Sequence, residues 1–185
     1  MMILHVARHG ETDYNLTGRY TGSTDVPLNQ KGINQAEELA RKLKDTRFDV
    51  VVSSPLLRAA KTAEIVCAEL GMPYIIMKNF TERGAGVYEG LTRDEAQRKY
   101  PELWAKLSSR LIDDAPDGGE TIRQVDTRVT EGLKQLCREY PDKKVLLICH
   151  AFVSRIINRY CTGLSFEDMH GFILNNCDVV EYEIK

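Results

Sequence analysis

Residues suited to anion chemistry stand near the ends of apolar runs that are far apart in the chain. Arg8 and His9 follow the first run. Arg58 comes shortly after the second, and His150 ends a later one. Arginine presents a rigid fork of donors that suits phosphate oxygens, and two arginines at one site favour an anion over a metal cation. A neutral imidazole is a competent nucleophile toward phosphorus. These residue types therefore indicate phosphoryl transfer.

Alternating strands and helices are expected to position these side chains. Apolar, partly β-branched runs predict strands, and apolar residues at helical spacing predict helices. The strands are predicted at 2–7, 48–53, 73–77, 144–149 and 179–184. The helices are predicted at 33–43 with a cap at Asn29 or Gln30, 55–70 with Pro55 in the first turn, 92–100, 101–107, 125–136 and 152–160.

This alternation predicts an α/β fold with a largely parallel sheet that is covered on both faces. Ligands of such sheets bind beyond the carboxyl ends of the strands. Arg8, His9, Arg58 and His150 are therefore expected to meet in one crevice. The helix that starts near Pro55 would direct backbone donors toward the same region.

Composition limits the classes of protein that the chain can represent. A length of 185 residues predicts a single domain covering 1–185, and 43% apolar with 28% charged residues is typical of a globular protein. The formal net charge of -2 argues against a nucleic-acid partner, because such binding needs a basic surplus. A small anionic ligand needs only a few local cations.

The cysteines and the first residues bear on the compartment. The five cysteines form no C-x-x-C pair and are interpreted as buried thiols. The apolar stretch at the start is too short for a membrane span and lacks a cleavage site, so neither a signal peptide nor membrane association is expected. A cytoplasmic location follows as the default prediction.

Several segments together resemble one known family. Arg8-His9-Gly10-Glu11-Thr12 is similar to the R-H-G-E-[TS] signature of the histidine phosphatase superfamily, also called the phosphoglycerate mutase-like family. Further similar segments follow in the family's order: Asn15, Thr21-Gly22, Pro27 to Gly32, Ser53 to Ala63, Glu82 to Gly90, Gly118 to Thr121, and His150. The match spans nearly the whole chain.

The resemblance implies a three-layer α/β/α sandwich, and it implies a role for each matching residue. His9 would accept the phosphoryl group, and Glu82 would donate the proton. Arg8, Arg58 and His150 would hold the phosphate. The other implied substrate-binding residues are Asn15, Thr21, Gly22 and Ala151. No metal and no cofactor is implied.

One position departs from the family pattern. The residue after the second histidine is usually glycine, and here it is Ala151. Its backbone N–H remains available, so phosphate contact is expected to survive unless the freedom of glycine in φ is required. Tyr88 stands where tryptophan is common, which changes the lining more than the mechanism.

The leading hypothesis is a phosphomonoesterase acting on a small phosphate ester, with sugar phosphates, phosphoglycerates, nucleotides and α-ribazole phosphate as candidates. A cofactor-dependent phosphoglycerate mutase is the first alternative, although the compact length favours a phosphatase. A non-catalytic phosphate-binding protein is the second. Glu89 lies close enough in sequence to compete with Glu82 for the proton-donor role. A homodimer is suggested by the family alone.

Overall fold

Five strands and seven α-helices alternate along the chain in the computed structural model, which describes residues 1–107 and 111–185. In chain order these are β1 (Met2–Arg8), α1 (Asp13–Leu16), α2 (Gln30–Leu43), β2 (Val50–Ser53), α3 (Leu57–Leu70), β3 (Tyr74–Ile76), α4 (Arg93–Lys99), α5 (Pro101–Leu107), α6 (Ile122–Glu139), β4 (Lys144–Cys149), α7 (Ala151–Thr162) and β5 (Val179–Ile184). Short 3₁₀ turns lie at Lys78–Phe80, Gly86–Tyr88 and Asp168–Gly171.

The strands form one sheet in the order β3-β2-β4-β1-β5. All neighbours pair in parallel except β5, which runs antiparallel to β1. Ile3 lies opposite Lys144 and Arg8 lies opposite Cys149, so β1 and β4 end level with each other. This register places His9 and His150 side by side at the carboxyl edge of the sheet.

Helices cover both faces of the sheet. Strand side chains alternate between the two faces, because successive residues of a strand point in opposite directions. Leu147 packs in a cluster with α6 and α7, whereas its neighbours Leu146 and Ile148 pack in a second cluster with α2 and α3. The predicted three-layer α/β/α architecture is therefore confirmed. Among residues 1–107 and 111–185, none of the helices combines the length and apolar character needed to cross a membrane.

The start of α3 differs from the prediction. The helix begins at Leu57, so Pro55 precedes it instead of occupying its first turn. The N–H of Leu57 donates to the side chain of Asp25, which is distant in sequence, at 2.7 Å. This tertiary contact fixes the start of the helix, and it cannot be predicted from the spacing of apolar residues along the chain. The second and third strands are also shorter than predicted, at Val50–Ser53 and Tyr74–Ile76.

Two glycines allow the segment after β1 to lie directly against the start of α2. A Cβ on Gly32 would overlap the backbone oxygen of Glu11, and a Cβ on Gly10 would overlap the backbone oxygen of Gly32. Both obstacles are main-chain atoms, which cannot rotate away. The backbone that carries His9 is thus supported by close main-chain packing.

We expect Gly32→Ala to lower the free energy of unfolding by about 1–3 kcal/mol, as overpacking does. Urea unfolding of the purified variant measures the change. Gly171→Ala is the matched control, since a Cβ there meets no atom within 4 Å. A Gly32→Ala variant as stable as the control would contradict the close packing.

Candidate active site

A crevice of about 510 Å³ opens at the carboxyl edge of the sheet. It lies beyond the ends of β1 and β4, where the sequence predicted a ligand site. Its lining brings together most of the predicted site residues: Arg8, His9, Asn15, Thr21, Gly22, Arg58, Glu82 and Ala151. His150 is absent from this lining and lies immediately beside it.

His9 is held as a neutral imidazole with one nitrogen free to react. Its side chain is 3% exposed, and Nδ1 donates a hydrogen bond of 2.7 Å to the carbonyl of Gly10. A carbonyl can only accept, so Nδ1 carries the proton and Nε2 keeps its lone pair. Burial, followed by the charges of Arg58 and Arg8, holds the pKa of His9 well below its ordinary value. At neutral pH the ring is therefore uncharged, and Nε2 carries a lone pair.

Two guanidinium groups flank this imidazole, that of Arg58 buried and that of Arg8 half-buried. Arg58 is 1% exposed and donates to the carbonyls of Gly22 at 2.8 Å and Thr24 at 2.9 Å. Arg8 donates to the carbonyl of Leu174 at 3.0 Å. Burial lowers the pKa of both arginines, and the charge of Glu82 opposes that shift. Their positive charges thus remain concentrated where an anion would neutralise them.

His150 packs beside His9, with 5.1 Å between the ring centroids. The ring is fully buried, and its Nε2 shares a hydrogen bond of 2.7 Å with the hydroxyl of Ser54. Its Nδ1 is buried with no hydrogen-bond partner among the described residues. Burial and Arg58 hold the pKa of His150 well below its ordinary value. A second neutral imidazole therefore stands behind the first.

Ala151 occupies ordinary helical backbone. It is the first residue of α7, with His150 as the N-cap. Among the described residues, the non-glycine positions with positive φ are Asp142 and Cys177, so Ala151 does not use the conformational freedom that glycine would provide. The methyl group joins the lining of the crevice. The departure from the family pattern costs no backbone strain.

Glu82 and Glu89 have very different surroundings. Glu82 lines the crevice, and its carboxylate accepts from the N–H of Arg83 at 2.9 Å and of Phe152 at 3.2 Å. Glu89 lies outside that lining and accepts from the backbone N–H groups of Ser23, Thr24 and Ala85 and from the Ser23 and Thr24 hydroxyls. Burial raises the pKa of Glu89, but these hydrogen bonds outweigh it and hold the value below its ordinary range. Glu89 is thus an ionised anchor of the loop.

Asn176 is a residue that sequence reasoning missed. Its side-chain NH₂ donates to the carbonyl of His9 at 2.8 Å and to the amide oxygen of Asn15 at 3.3 Å. That oxygen also accepts from the N–H of Thr12, so the NH₂ of Asn15 is the group left for a ligand. Strand pairing is the signal that could have indicated Asn176. Because β5 runs antiparallel to β1, the residues just before β5 must lie near the carboxyl end of β1.

The outer part of the crevice is both aromatic and cationic. The rings of Tyr20 and Tyr88 have centroids 5.6 Å apart, and Tyr88 lies 6.0 Å from Trp104. The guanidinium of Arg83 stacks over Phe152 at 4.9 Å, and that of Arg93 lies 5.6 Å from the centroid of Trp104. Trp104 thus lines the crevice. This part of the pocket can contact the organic portion of an ester.

Histidine and carboxylate side chains such as His9, His150 and Glu82 are also the residue types that bind metal ions. Within residues 1–107 and 111–185, no group of three or more His, Cys, Asp or Glu side chains is placed to hold a metal ion. The flanking guanidinium groups of Arg8 and Arg58 would also repel a divalent cation. The positive charges of the crevice favour an anion.

A neutral imidazole between guanidinium groups, at the carboxyl edge of an α/β/α sheet, is the arrangement of a phosphoryl-transfer protein that works through histidine. The family model for the histidine phosphatase superfamily (branch 1) matches residues 4–185. The chain therefore belongs to the histidine phosphatase superfamily.

Its relatives include phosphatases and phosphoglycerate mutases. The chain is 38% identical over 177 residues to an uncharacterized phosphatase PhoE of Bacillus subtilis, covering 96% of this chain and 86% of that protein. It is 31% identical over 190 residues to a 2,3-bisphosphoglycerate-dependent phosphoglycerate mutase of Methylobacterium, covering 99% and 91%. The structure is similar to that of the alpha-ribazole phosphatase from Shigella flexneri, with a TM-score of 0.92 at 27% identity, covering 100% and 91% of the two chains.

Proposed function

We propose that this protein is a metal-independent phosphomonoesterase that hydrolyses a small phosphate ester through a phosphohistidine at His9. The observation that carries this proposal is the bond from Nδ1 of His9 to Gly10, which leaves the lone pair of Nε2 available between Arg8 and Arg58. A nucleophile of this kind splits one difficult displacement into two easier ones.

In the first step, Nε2 of His9 attacks phosphorus and the bond to the ester oxygen breaks. Glu82 gives its proton to the departing oxygen, so the product leaves as an alcohol. In the second step, the Glu82 carboxylate takes a proton from water as the water oxygen attacks phosphorus. The phosphorus–nitrogen bond breaks, and inorganic phosphate leaves.

Fixed donors stabilise the charge on the transferring group. That charge spreads over three equatorial oxygens, and preorganised donors lower the barrier without rearranging during the reaction. Arg8, Arg58 and the NH₂ of Asn15 supply donors from side chains. His150 supplies Nδ1, which has no hydrogen-bond partner among the described residues. Backbone groups at Thr21, Gly22 and Ala151 complete the set of binding positions.

Whether water or a second hydroxyl receives the phosphoryl group separates a phosphatase from a mutase. The test is a panel of phosphate esters, including phosphoserine, phosphoglycerates, sugar phosphates, nucleotides and α-ribazole phosphate, with mutase activity toward phosphoglycerate assayed alongside. We expect release of inorganic phosphate to exceed transfer between hydroxyls. Dominant transfer would favour the mutase, and binding without turnover would favour a phosphate-binding protein.

Excess chelator is expected to leave hydrolysis unchanged, because protein donors supply all the charge stabilisation in this mechanism. The measurement is the steady-state rate before and after prolonged incubation with EDTA. A control with added Mg²⁺ should also show no stimulation. Loss of activity that added metal restores would overturn the metal-free mechanism.

A cytoplasmic location, a single domain over residues 1–185 and the absence of a nucleic-acid partner belong to the same proposal. All five cysteines are unpaired, which suits a reducing compartment. The homodimer remains a family-level prediction.

A further inference from the structure

We infer that Arg128 is a positioning residue that sets the location of Glu82 for proton transfer. This inference rests on the proposed function, in which Glu82 is the general acid. Arg128 lies on α6, outside the lining of the crevice, and the sequence motifs of the site do not include it.

All five N–H donors of Arg128 are engaged. Three of them go to the backbone around Glu82: the carbonyls of Asn79 at 2.9 Å, Thr81 at 2.6 Å and Glu82 at 3.1 Å. The other two form a bidentate pair with Glu120, at 2.9 and 2.8 Å. Arginine is the side chain with five donors in a rigid fork, so no other residue can make this set of bonds.

Glu120 extends the same support to the residues that follow Glu82. Its carboxylate accepts from the N–H of Gly84 at 2.9 Å, and its carbonyl accepts from Nε of Arg83 at 2.8 Å. The N–H of Glu120 donates to the carbonyl of Gly84 at 2.9 Å. The loop is therefore fixed on both sides of Glu82 through one ion pair.

The part of α6 that carries Arg128, and so the ion pair of Arg128 with Glu120, is rigidly packed. Val125 and Val129, which flank Arg128 on α6, are fully buried in the cluster between α6 and the sheet. The side chains of Arg128 and Glu120 are only 21% and 31% exposed, so water competes weakly for their bonds. Since a displacement of about 1 Å can cost a large factor in rate, support of this kind bears on catalysis.

The test compares two esters with different needs for an acid. Glycerol 3-phosphate releases an alkoxide that must be protonated, whereas p-nitrophenyl phosphate releases a phenolate that leaves readily without a proton. We expect Arg128→Lys to lower kcat about 10-fold for glycerol 3-phosphate and less for p-nitrophenyl phosphate, with KM and inhibition by inorganic phosphate nearly unchanged. In the Glu82→Gln background, the same change should cost less than about 2-fold, because the two residues act as a unit.

Arg123→Lys is the matched control. Arg123 lies on the same helix, and within the described part of the chain its side-chain hydrogen bonds form a bidentate pair with Asp113 instead of reaching the Glu82 loop. It should leave both rates unchanged. Thermal unfolding of each variant shows whether the protein is folded. If Arg128→Lys does not fold, Glu120→Gln is the second variant, because it weakens the ion pair while preserving the shape of the side chain. It should lower kcat for glycerol 3-phosphate selectively, by a smaller factor.

The outcomes separate the inference from the proposal beneath it. Three results for Arg128→Lys would overturn the positioning role and leave the enzyme a phosphatase. These are an equal loss of kcat on both esters, no loss of kcat on either, and the same loss of kcat in the Glu82→Gln background as in the wild type. A wild-type protein that hydrolyses neither ester, or a Glu82→Gln variant without the leaving-group preference, would overturn the proposed mechanism and the inference with it.

Discussion

His9→Ala is expected to lower phosphatase turnover by at least about 10⁴-fold, because it removes the atom that forms the bond to phosphorus. The imidazole of His150 packs beside His9, but its Nε2 is engaged by Ser54 behind the crevice lining. Brief incubation of wild-type protein with labelled substrate should trap an acid-labile phosphorus–nitrogen bond, and the variant should show none.

The control for this substitution is His5→Asn. His5 is another histidine of low exposure on β1, but its Nε2 pairs with Glu181 at 2.9 Å and it does not line the crevice. Its replacement should leave the phosphoenzyme signal intact. A His9→Ala protein that is folded and keeps a tenth of the wild-type rate would rule out His9 as the acceptor.

Glu82→Gln is expected to reduce kcat by about 10²–10³-fold for an alkyl phosphate, the usual contribution of general acid catalysis. Glutamine keeps the size and the acceptor oxygen but cannot transfer the proton. Inhibition by inorganic phosphate should change by less than about 3-fold, since the binding donors remain in place. Parallel measurement of kcat and the phosphate inhibition constant tests this.

Glu89→Gln provides the comparison within the same loop. Its carboxylate anchors the backbone of Ser23 and Thr24, and the Thr24 carbonyl in turn accepts from Arg58. We expect weaker phosphate binding together with a modest loss of rate, because the Arg58 contact is loosened. If Glu89→Gln lost more kcat than Glu82→Gln with binding unchanged, the proton donor would be Glu89.

Much of the sheet was predictable because its strands end sharply. The apolar run at 144–149 gives way to His150, and the structure has β4 at Lys144–Cys149 as predicted. The last strand also matches, at Val179–Ile184. The start of α3, which differs from the prediction, has a partner distant in sequence, Asp25. The spacing of residues along the chain does not predict such long-range contacts.

The candidate site was predictable to the extent that its residues follow strand ends or carry family motifs. His9, Arg58 and Glu82 meet in the crevice on those grounds. Asn176 and Arg128 were not predicted. Both donate to backbone carbonyls, Asn176 to that of His9 and Arg128 to that of Asn79 among others. A carbonyl is present at every residue, so no side-chain pattern marks the partner. Such residues emerge only when the packing of the loops is known.

The segment before β5 has a consequence for biosynthesis. Leu174 accepts from Arg8, Asn176 donates to the carbonyl of His9, and the N–H of Cys177 donates to the carbonyl of Arg8. His9 is translated before the segment that supports it. A nascent chain would thus carry an incomplete crevice until residues 174–177 have emerged from the ribosome.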